Sequence, residues 1–228
     1  MRALLLAMLV ALGLAPAHAG HPFSDLPVHV TEPRGGAIKA VIILWSGDGG
    51  WTGTMQNIAD ALADRGYGVV GISALRYFWS EKAPKTMAKD TDRLVFHFTE
   101  RWQTNKVVLA GYSFGADTLP FAWPAMNAET QDVTALIALL SPFKRTEFEV
   151  SIRGMLGIVH GKHEVVPAIE ALPQDRVLCL TGDKETDMAC SLTAGYEVAS
   201  VPGGHNYDRN WLLIADIVNA AFDRRRLD

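Results

Sequence analysis

The residues most able to do chemistry lie in Gly111-Tyr112-Ser113-Phe114-Gly115, which follows an apolar run and precedes a helical pattern. In this setting a G-x-S-x-G sequence forms a sharp strand-to-helix turn that presents the serine hydroxyl as a nucleophile. Glycines are needed beside the serine because a Cβ there would strike the neighbouring strand or helix. The following helix directs its first N–H groups toward the serine and favours negative charge there. The sequence therefore predicts nucleophilic catalysis by Ser113.

A serine hydroxyl becomes a useful nucleophile only when a neighbouring base removes its proton. Of the seven histidines, His205 stands in Pro202-Gly203-Gly204-His205, after the last predicted strand and before the closing helical pattern. Hydrolases with this serine turn take their base from that position, in the chain order serine, acid, histidine. We therefore predict that His205 is the general base.

The acid that orients the imidazole is expected on the loop after the penultimate strand, residues 181–187, which carries three carboxylates. A G-x-x-D pattern is frequent at this point and aligns Glu185 with the acid, while Asp187 is the alternative. The only two cysteines, Cys179 and Cys190, bracket this loop. We expect them to form a disulfide in an oxidising compartment. Such a bridge would hold the acid rigidly, although a purely structural bridge is also open.

A tetrahedral intermediate needs N–H donors directed at its oxyanion. One predicted donor is the backbone of Phe114. The other is the backbone of Asp48 in Ser46-Gly47-Asp48-Gly49-Gly50, where esterases carry glycine-rich oxyanion loops; a simple strand-ending turn is the alternative. His160 and His163 form an H-x-x-H pair without a third ligand nearby, so we expect no metal and no cofactor.

The elements that must position these residues are apolar, β-branched runs separated by helical patterns. Continuous runs of this kind predict strands buried on both faces, as in a parallel sheet. Their alternation with helices predicts a three-layer α/β-hydrolase fold, with a mostly parallel central sheet flanked by helices. The predicted strands are 40–45, 68–72, 106–110, 133–140, 176–180 and 196–201, and the clearest helices end near 66 or cover 87–102 and 211–222.

The N-terminus differs from the rest of the chain. Arg2 precedes an apolar run over 3–15, and Ala17-His18-Ala19 follows it. This pattern predicts a cleavable signal peptide at 1–19, because a run this short falls below the ~20 residues that span a bilayer; an uncleaved anchor is the alternative. We expect one domain over 20–228, and a net charge of −4 does not favour nucleic-acid binding.

Beyond the serine turn, the chain resembles the bacterial VirJ/AcvB virulence-protein family over nearly all of the expected mature part, from about Ile38 onward. One departure is Asn206, where many relatives carry a second histidine, so His205 is the only candidate base there. The segments that carry the resemblance are 46–51, 75–79, 111–117, the acidic loop between the cysteines, and 202–205.

The resemblance implies a periplasmic protein of a Gram-negative bacterium. It also implies hydrolysis of aminoacylated phosphatidylglycerol, chiefly lysyl-phosphatidylglycerol, at the ester that joins lysine to the headgroup. For such a substrate, Asp117 is a candidate to receive the lysine ammonium, and Tyr77 and Trp79 are candidates for acyl-chain or transient membrane-surface contact. A buried structural role for Asp117, and core or lid roles for the aromatic residues, are open alternatives.

Two other functions are compatible with the sequence. One is an accessory or scaffold role among the proteins of an envelope, type IV-like secretion system. The other is a general esterase activity on small soluble esters. An aligned nucleophile, base and acid would argue against a purely non-catalytic role, because a scaffold has no use for them.

Overall fold

The structure is a computed structural model that describes residues 23–150, 161–186 and 188–225. The predicted signal peptide, the alternative acid Asp187 and His160 lie outside the described residues. The domain boundary expected at residue 20 therefore stays a prediction.

Nine strands occur in the described residues. All six predicted strands are confirmed, to within two residues at each end. Sequence reasoning missed the remaining three short strands, of which the first has four residues, three of them half-buried. The strands are β1 (Val28–Thr31), β2 (Ala40–Trp45), β3 (Tyr67–Ile72), β4 (Val107–Tyr112), β5 (Thr134–Leu140), β6 (Arg145–Thr146), β7 (His163–Glu164), β8 (Val177–Gly182) and β9 (Glu197–Val201).

Helices connect most of these strands. The longest begins with a proline at its first turn, where the missing N–H costs nothing, and ends at Gln103 in the left-handed region. Within the described ranges, no helix combines the length and apolarity needed to cross a membrane. The α-helices of the described residues are α1 (Gly53–Ala63), α2 (Ala74–Tyr77), α3 (Pro84–Trp102), α4 (Phe114–Ala122), α5 (Ala128–Val133), α6 (Val165–Glu170) and α7 (Trp211–Arg225).

Seven strands form one sheet in the order β1-β3-β2-β4-β5-β8-β9. All neighbours pair in parallel except β1, which runs antiparallel to β3 at the edge. Strand β2 lies inside this sheet, between β3 and β4, and all six of its residues are buried. This explains its unbroken apolar sequence, because both of its faces are covered.

Two apolar cores cover the two faces of the sheet. On β2, Val41, Ile43 and Trp45 belong to the core shared with α3, α4 and α6. The alternate residues Ala40, Ile42 and Leu44 belong to the core shared with α1 and α7. This alternation follows from the two-residue period of a strand. The predicted three-layer α/β-hydrolase fold, with its mostly parallel central sheet, is confirmed.

The order of the strands determines where a crevice opens. From β2 the chain first adds β3 on one side and later adds β4 on the other. Helices leaving in opposite directions separate at such a point, so ligands of open α/β sheets bind there, beyond the carboxyl ends of the strands. Ser113 directly follows β4, and Ser46 directly follows β2. The nucleophile turn and the glycine-rich loop thus meet at the switch point of the sheet.

Candidate active site

The turn between β4 and α4 holds Ser113 at φ +53° and ψ −121°. A non-glycine residue in this region carries about 1–3 kcal/mol of strain, which the surrounding structure must overcome. A Cβ on Gly111 would lie 2.4 Å from the carbonyl oxygen of Gly115, and one on Gly115 would lie 2.4 Å from that of Trp45. The two flanking glycines are therefore required by close packing, as the sequence pattern predicts.

Three side chains form a continuous hydrogen-bonded line. Ser113 Oγ lies 2.8 Å from Nε2 of His205, and Nδ1 of His205 lies 2.6 Å from Oε1 of Glu185. An ionised carboxylate only accepts hydrogen bonds, so it keeps a proton on Nδ1 and leaves Nε2 free to accept the serine proton. The structure thus brings together the predicted nucleophile, base and first-choice acid. This arrangement is able to remove the serine proton during attack on a carbonyl carbon.

The Glu185 carboxylate is held by two further donors. Its Oε2 accepts hydrogen bonds from Oγ of Ser141 at 2.5 Å and from the backbone N–H of Gly182 at 2.7 Å. Burial raises the pKa of Glu185, but the hydrogen bonds from His205, Ser141 and Gly182 outweigh burial and hold that pKa below its usual value. The acid is therefore ionised and fixed in orientation.

A buried tyrosine completes this network. The hydroxyl of Tyr207 lies 2.7 Å from Oγ of Ser141, and both residues are fully buried. Because Ser141 gives its only proton to the Glu185 carboxylate, Tyr207 must donate to Ser141. Sequence analysis missed both residues. Ser141 had a detectable signal, since it directly follows the fourth predicted strand, observed as β5, at the same edge of the sheet as Ser113.

The acid loop and the histidine loop are joined to each other. Asp183 Oδ1 accepts the N–H of Gly203 at 2.8 Å, and the N–H of Lys184 binds the carbonyl of Gly203 at 3.0 Å. The predicted disulfide between Cys179 and Cys190 is confirmed, with their Cα atoms 5.7 Å apart. It ties strand β8 to the far side of the acid loop. The loop that carries Glu185 is thus restrained at both ends.

Two aromatic rings lie beside the imidazole of His205. The ring of Tyr112 lies 5.3 Å away and that of Phe143 lies 5.0 Å away, centroid to centroid. The Tyr112 hydroxyl also donates to the carbonyl of His205 at 2.8 Å. Phe143 is 43% exposed, so it lies at the entrance of the site. Neither ring was predicted as a site residue, because their proximity to the histidine arises only in three dimensions.

The glycine-rich loop lies beside the nucleophile. A Cβ on Gly47 would come within 3.3 Å of Ser113 Cβ, so the loop backbone passes directly along the serine. A hydrogen bond from the Gly50 N–H to the Gly47 carbonyl, 3.0 Å long, closes the turn around Asp48. On the other side, Phe114 is the first residue of α4, whose N–H has no acceptor within the helix. Both positions suit the predicted oxyanion donors.

Tyr77 is not a substrate-binding residue, which corrects the expectation from sequence. Its side chain is 5% exposed, and the adjacent Phe78 is fully buried. The Tyr77 ring packs edge-on against Trp45 at 4.9 Å, and its hydroxyl donates to Asp90 at 2.7 Å. The core alternative is therefore correct for this residue. Trp79 is 68% exposed, and its contact with substrate or membrane stays a prediction.

Asp117 occupies the first turn of α4, where it is 3% exposed. Its Oδ1 accepts the backbone N–H of Phe143 at 2.6 Å. Burial raises the pKa of the Asp117 carboxyl well above its usual value, although the bond from Phe143 opposes this and the charge of Asp48 adds to it. A side chain so enclosed does not receive a lysine ammonium. Of the two roles left open by the sequence, the structure favours the structural one.

The substitution Asp117→Asn tests that role through stability. An acid whose pKa is raised by folding contributes stability that is fully present below its unfolded pKa near 3.8. That contribution is lost as the pH rises toward the folded pKa. Asparagine still accepts the Phe143 N–H, so we expect a Tm about 3–6 °C above wild type at pH 8 and little change at pH 4. Equal shifts at both pH values, measured by thermal unfolding, would contradict this account.

Metal-ligating side chains are not grouped in the part of the chain that the structure describes. No set of three or more His, Cys, Asp or Glu there is arranged to hold a metal ion. His163, the described member of the H-x-x-H pair, instead packs its ring against Phe148 at 4.7 Å.

Comparison with known proteins identifies relatives of this chain in family and in fold. A family model described as bacterial virulence protein (VirJ) matches residues 39–226, and no curated protein matches the chain. Est1E from Butyrivibrio proteoclasticus, solved with ferulic acid bound, has 13% identity and a TM-score of 0.61, covering 89% of this chain and 96% of its own.

Two further solved structures are similar to the chain. XC6422 from Xanthomonas campestris, described as an α/β serine hydrolase without a lid, has 16% identity and a TM-score of 0.58 over 86% of this chain and 88% of its own. The esterase domain of a Rhodothermus marinus protein has 11% identity and a TM-score of 0.58 over 86% and 91%. At these identities the likeness establishes the fold alone.

Proposed function

Because the chain belongs to the bacterial virulence protein (VirJ) family, whose members we expect to share its site, we propose that it is a serine hydrolase of carboxylic esters. The observation that carries this proposal is the line from Ser113 through His205 to Glu185, with contacts of 2.8 and 2.6 Å. Such a line supplies nucleophile, base and orienting acid in a single chain.

In the first half of the proposed reaction, Ser113 Oγ bonds to the ester carbonyl carbon while its proton passes to Nε2 of His205. The backbone N–H groups of Phe114 and Asp48 hold the oxyanion, and Glu185 stabilises the imidazolium. The tetrahedral intermediate then collapses. The carbon–oxygen bond to the alcohol breaks, and His205 returns its proton to the departing oxygen.

In the second half, water attacks the acyl-enzyme. His205 takes a proton from the water as its oxygen bonds to the acyl carbon, and the bond to Ser113 Oγ breaks. The serine oxygen recovers the proton from His205, and a carboxylic acid leaves. The side chain of His205 is 37% exposed, and the exposed ring of Phe143 lies beside it at the entrance. This open site suits a large or membrane-held ester.

For the substrate, we propose the aminoacyl ester of phosphatidylglycerol, chiefly lysyl-phosphatidylglycerol, cleaved in the periplasm. Three features support this: the family, the exposed aromatic side chain of Trp79, and a disulfide that suits an exported protein. Transient contact with the membrane surface follows from a lipid substrate. Interaction with secretion-system proteins is compatible with this activity and is not needed for it.

The test is hydrolysis of the lipid by the purified protein. Vesicles containing lysyl-phosphatidylglycerol should release lysine and phosphatidylglycerol in equal amounts, at a rate exceeding that for short soluble acyl esters. Faster cleavage of the short esters, with the lipid untouched, would indicate a general esterase instead. Folded protein that cleaves neither would favour the scaffold role.

A further inference from the structure

Asp48 is in an unusual place for a carboxylate. It follows Gly47, whose backbone lies against the nucleophile, in the turn closed by Gly50. Burial first, then the charges of Glu185 and Asp48, raise the pKa of Tyr112 to about 12. The charge of Asp48 also contributes, after burial, to the raised pKa of Asp117. Since Gly47 passes along Ser113 and Asp48 is the next residue of the same closed turn, Asp48 lies at the edge of the reaction site.

Within the part of the chain that the structure describes, no opposite charge is paired with Asp48. Among the described residues, none forms a hydrogen bond or ion pair with its half-exposed carboxylate. The other two acids near the site are treated differently. Glu185 accepts three hydrogen bonds, one of them from the imidazole, and Asp117 is buried with its charge suppressed.

An uncompensated carboxylate beside an oxyanion site opposes the reaction of a neutral ester. Negative charge develops on the substrate oxygen at the position where the Asp48 N–H would bind it, and the carboxylate of the same residue repels that charge. An acyl group that carries its own positive charge removes this penalty. In an aminoacyl ester, the α-ammonium is separated from the carbonyl carbon by a single carbon atom. When the Asp48 N–H binds the oxyanion, the α-ammonium would therefore lie near the carboxylate of the same residue.

Resting on the esterase function proposed above, we propose that the Asp48 carboxylate binds the α-ammonium of an aminoacyl ester and makes the site selective for aminoacyl over neutral acyl groups. The backbone of Asp48 then serves the oxyanion while its side chain serves the adjacent cation. This assigns to Asp48 the recognition that the sequence had left open for Asp117.

Four benzyl esters separate the charges without changing the length of the acyl chain. L-lysine carries both ammonium groups, L-norleucine only the α-ammonium, 6-aminohexanoate only the distal one, and hexanoate neither. The kcat/KM of each ester is measured with wild type, with Asp48→Asn, and with Asp132→Asn as a control. Asp132 is an exposed carboxylate in α5, next to the amino end of β5 and therefore at the opposite edge of the sheet.

We expect wild type to prefer the norleucine and lysine esters over hexanoate. Asp48→Asn should reduce this preference about 10- to 100-fold, because that is the strength of a hydrogen bond to a charged group. Turnover of the hexanoate ester by this variant should rise. Asp132→Asn should keep the wild-type preference. The ratio of two substrates on one variant cancels any damage that the substitution does to the oxyanion turn.

Several results would overturn the inference. They are equal turnover of hexanoate and norleucine esters by wild type, a preference that survives Asp48→Asn, and a loss confined to the 6-aminohexanoate ester. Each of them leaves the esterase function standing. If wild type cleaves none of the four esters or the lipid, the proposed function itself fails.

Discussion

Replacement of Ser113 by alanine is expected to lower kcat/KM for ester hydrolysis by about 10⁴-fold or more. The substitution removes only Oγ, the atom that lies 2.8 Å from the imidazole and that would bond to the carbonyl carbon. Without it, the oxyanion donors and binding groups remain but no acyl-enzyme forms. Initial rates on the lipid and on a soluble ester measure the effect.

The fold should survive this change. Alanine at φ +53° is strained to the same degree as serine, since both carry a Cβ, so the turn keeps its conformation. We therefore expect a Tm within a few degrees of wild type. Ser80→Ala, at an exposed position, is the matched control and should keep full activity. Unchanged turnover by Ser113→Ala would remove the mechanism.

The second large effect is expected at the acid. Glu185→Gln should lower kcat/KM by about 10³- to 10⁴-fold. The Oε2 position receives donors from Ser141 and Gly182, so the amide must place its oxygen there and turn its NH₂ toward His205. Nδ1 then has to accept a hydrogen bond rather than donate one, which leaves the ring proton on Nε2. Nε2 is then unable to take the proton of Ser113.

Asp187→Asn, made in parallel, distinguishes the two acids proposed from the sequence. We expect it to change kcat/KM less than a few-fold, because the described contacts of His205 already engage Glu185. Measuring kcat/KM of both variants on one substrate identifies the acid. The opposite ranking, with Asp187→Asn severely impaired and Glu185→Gln active, would assign the acid to Asp187.

The sequence predicts the sheet and the Ser113–His205–Glu185 line well, for a physical reason. Parallel strands buried on both faces must be apolar throughout, so β2, β4 and β5 are visible as runs. Each residue of the line follows such a run directly or within a few residues. Because parallel strands end at the same edge of the sheet, positions that are distant in the chain are brought together there.

The features that the sequence does not predict depend on local backbone conformation and on which side chains point into the core. Tyr207, Asp208 and Arg209 all have positive φ, at 52°, 47° and 65°, which costs each non-glycine residue about 1–2 kcal/mol. The residue types at 207–209 do not predict this left-handed turn, yet the turn directs the Tyr207 side chain inward to Ser141. The misassignment of Tyr77 has a related cause. A run of three aromatic residues does not indicate which of them faces the core. In the structure, Tyr77 does so, because its ring packs against that of Trp45.

The central claim is that Ser113 is activated by His205, and covalent labelling tests it most directly. A fluorophosphonate reacts with an activated serine and not with ordinary hydroxyls. The folded protein should gain the mass of one adduct, mapped to Ser113, and the His205→Gln variant should label at least ~100-fold more slowly. Folded wild-type protein that remains unlabelled, or an adduct formed equally fast without the imidazole, would contradict the account.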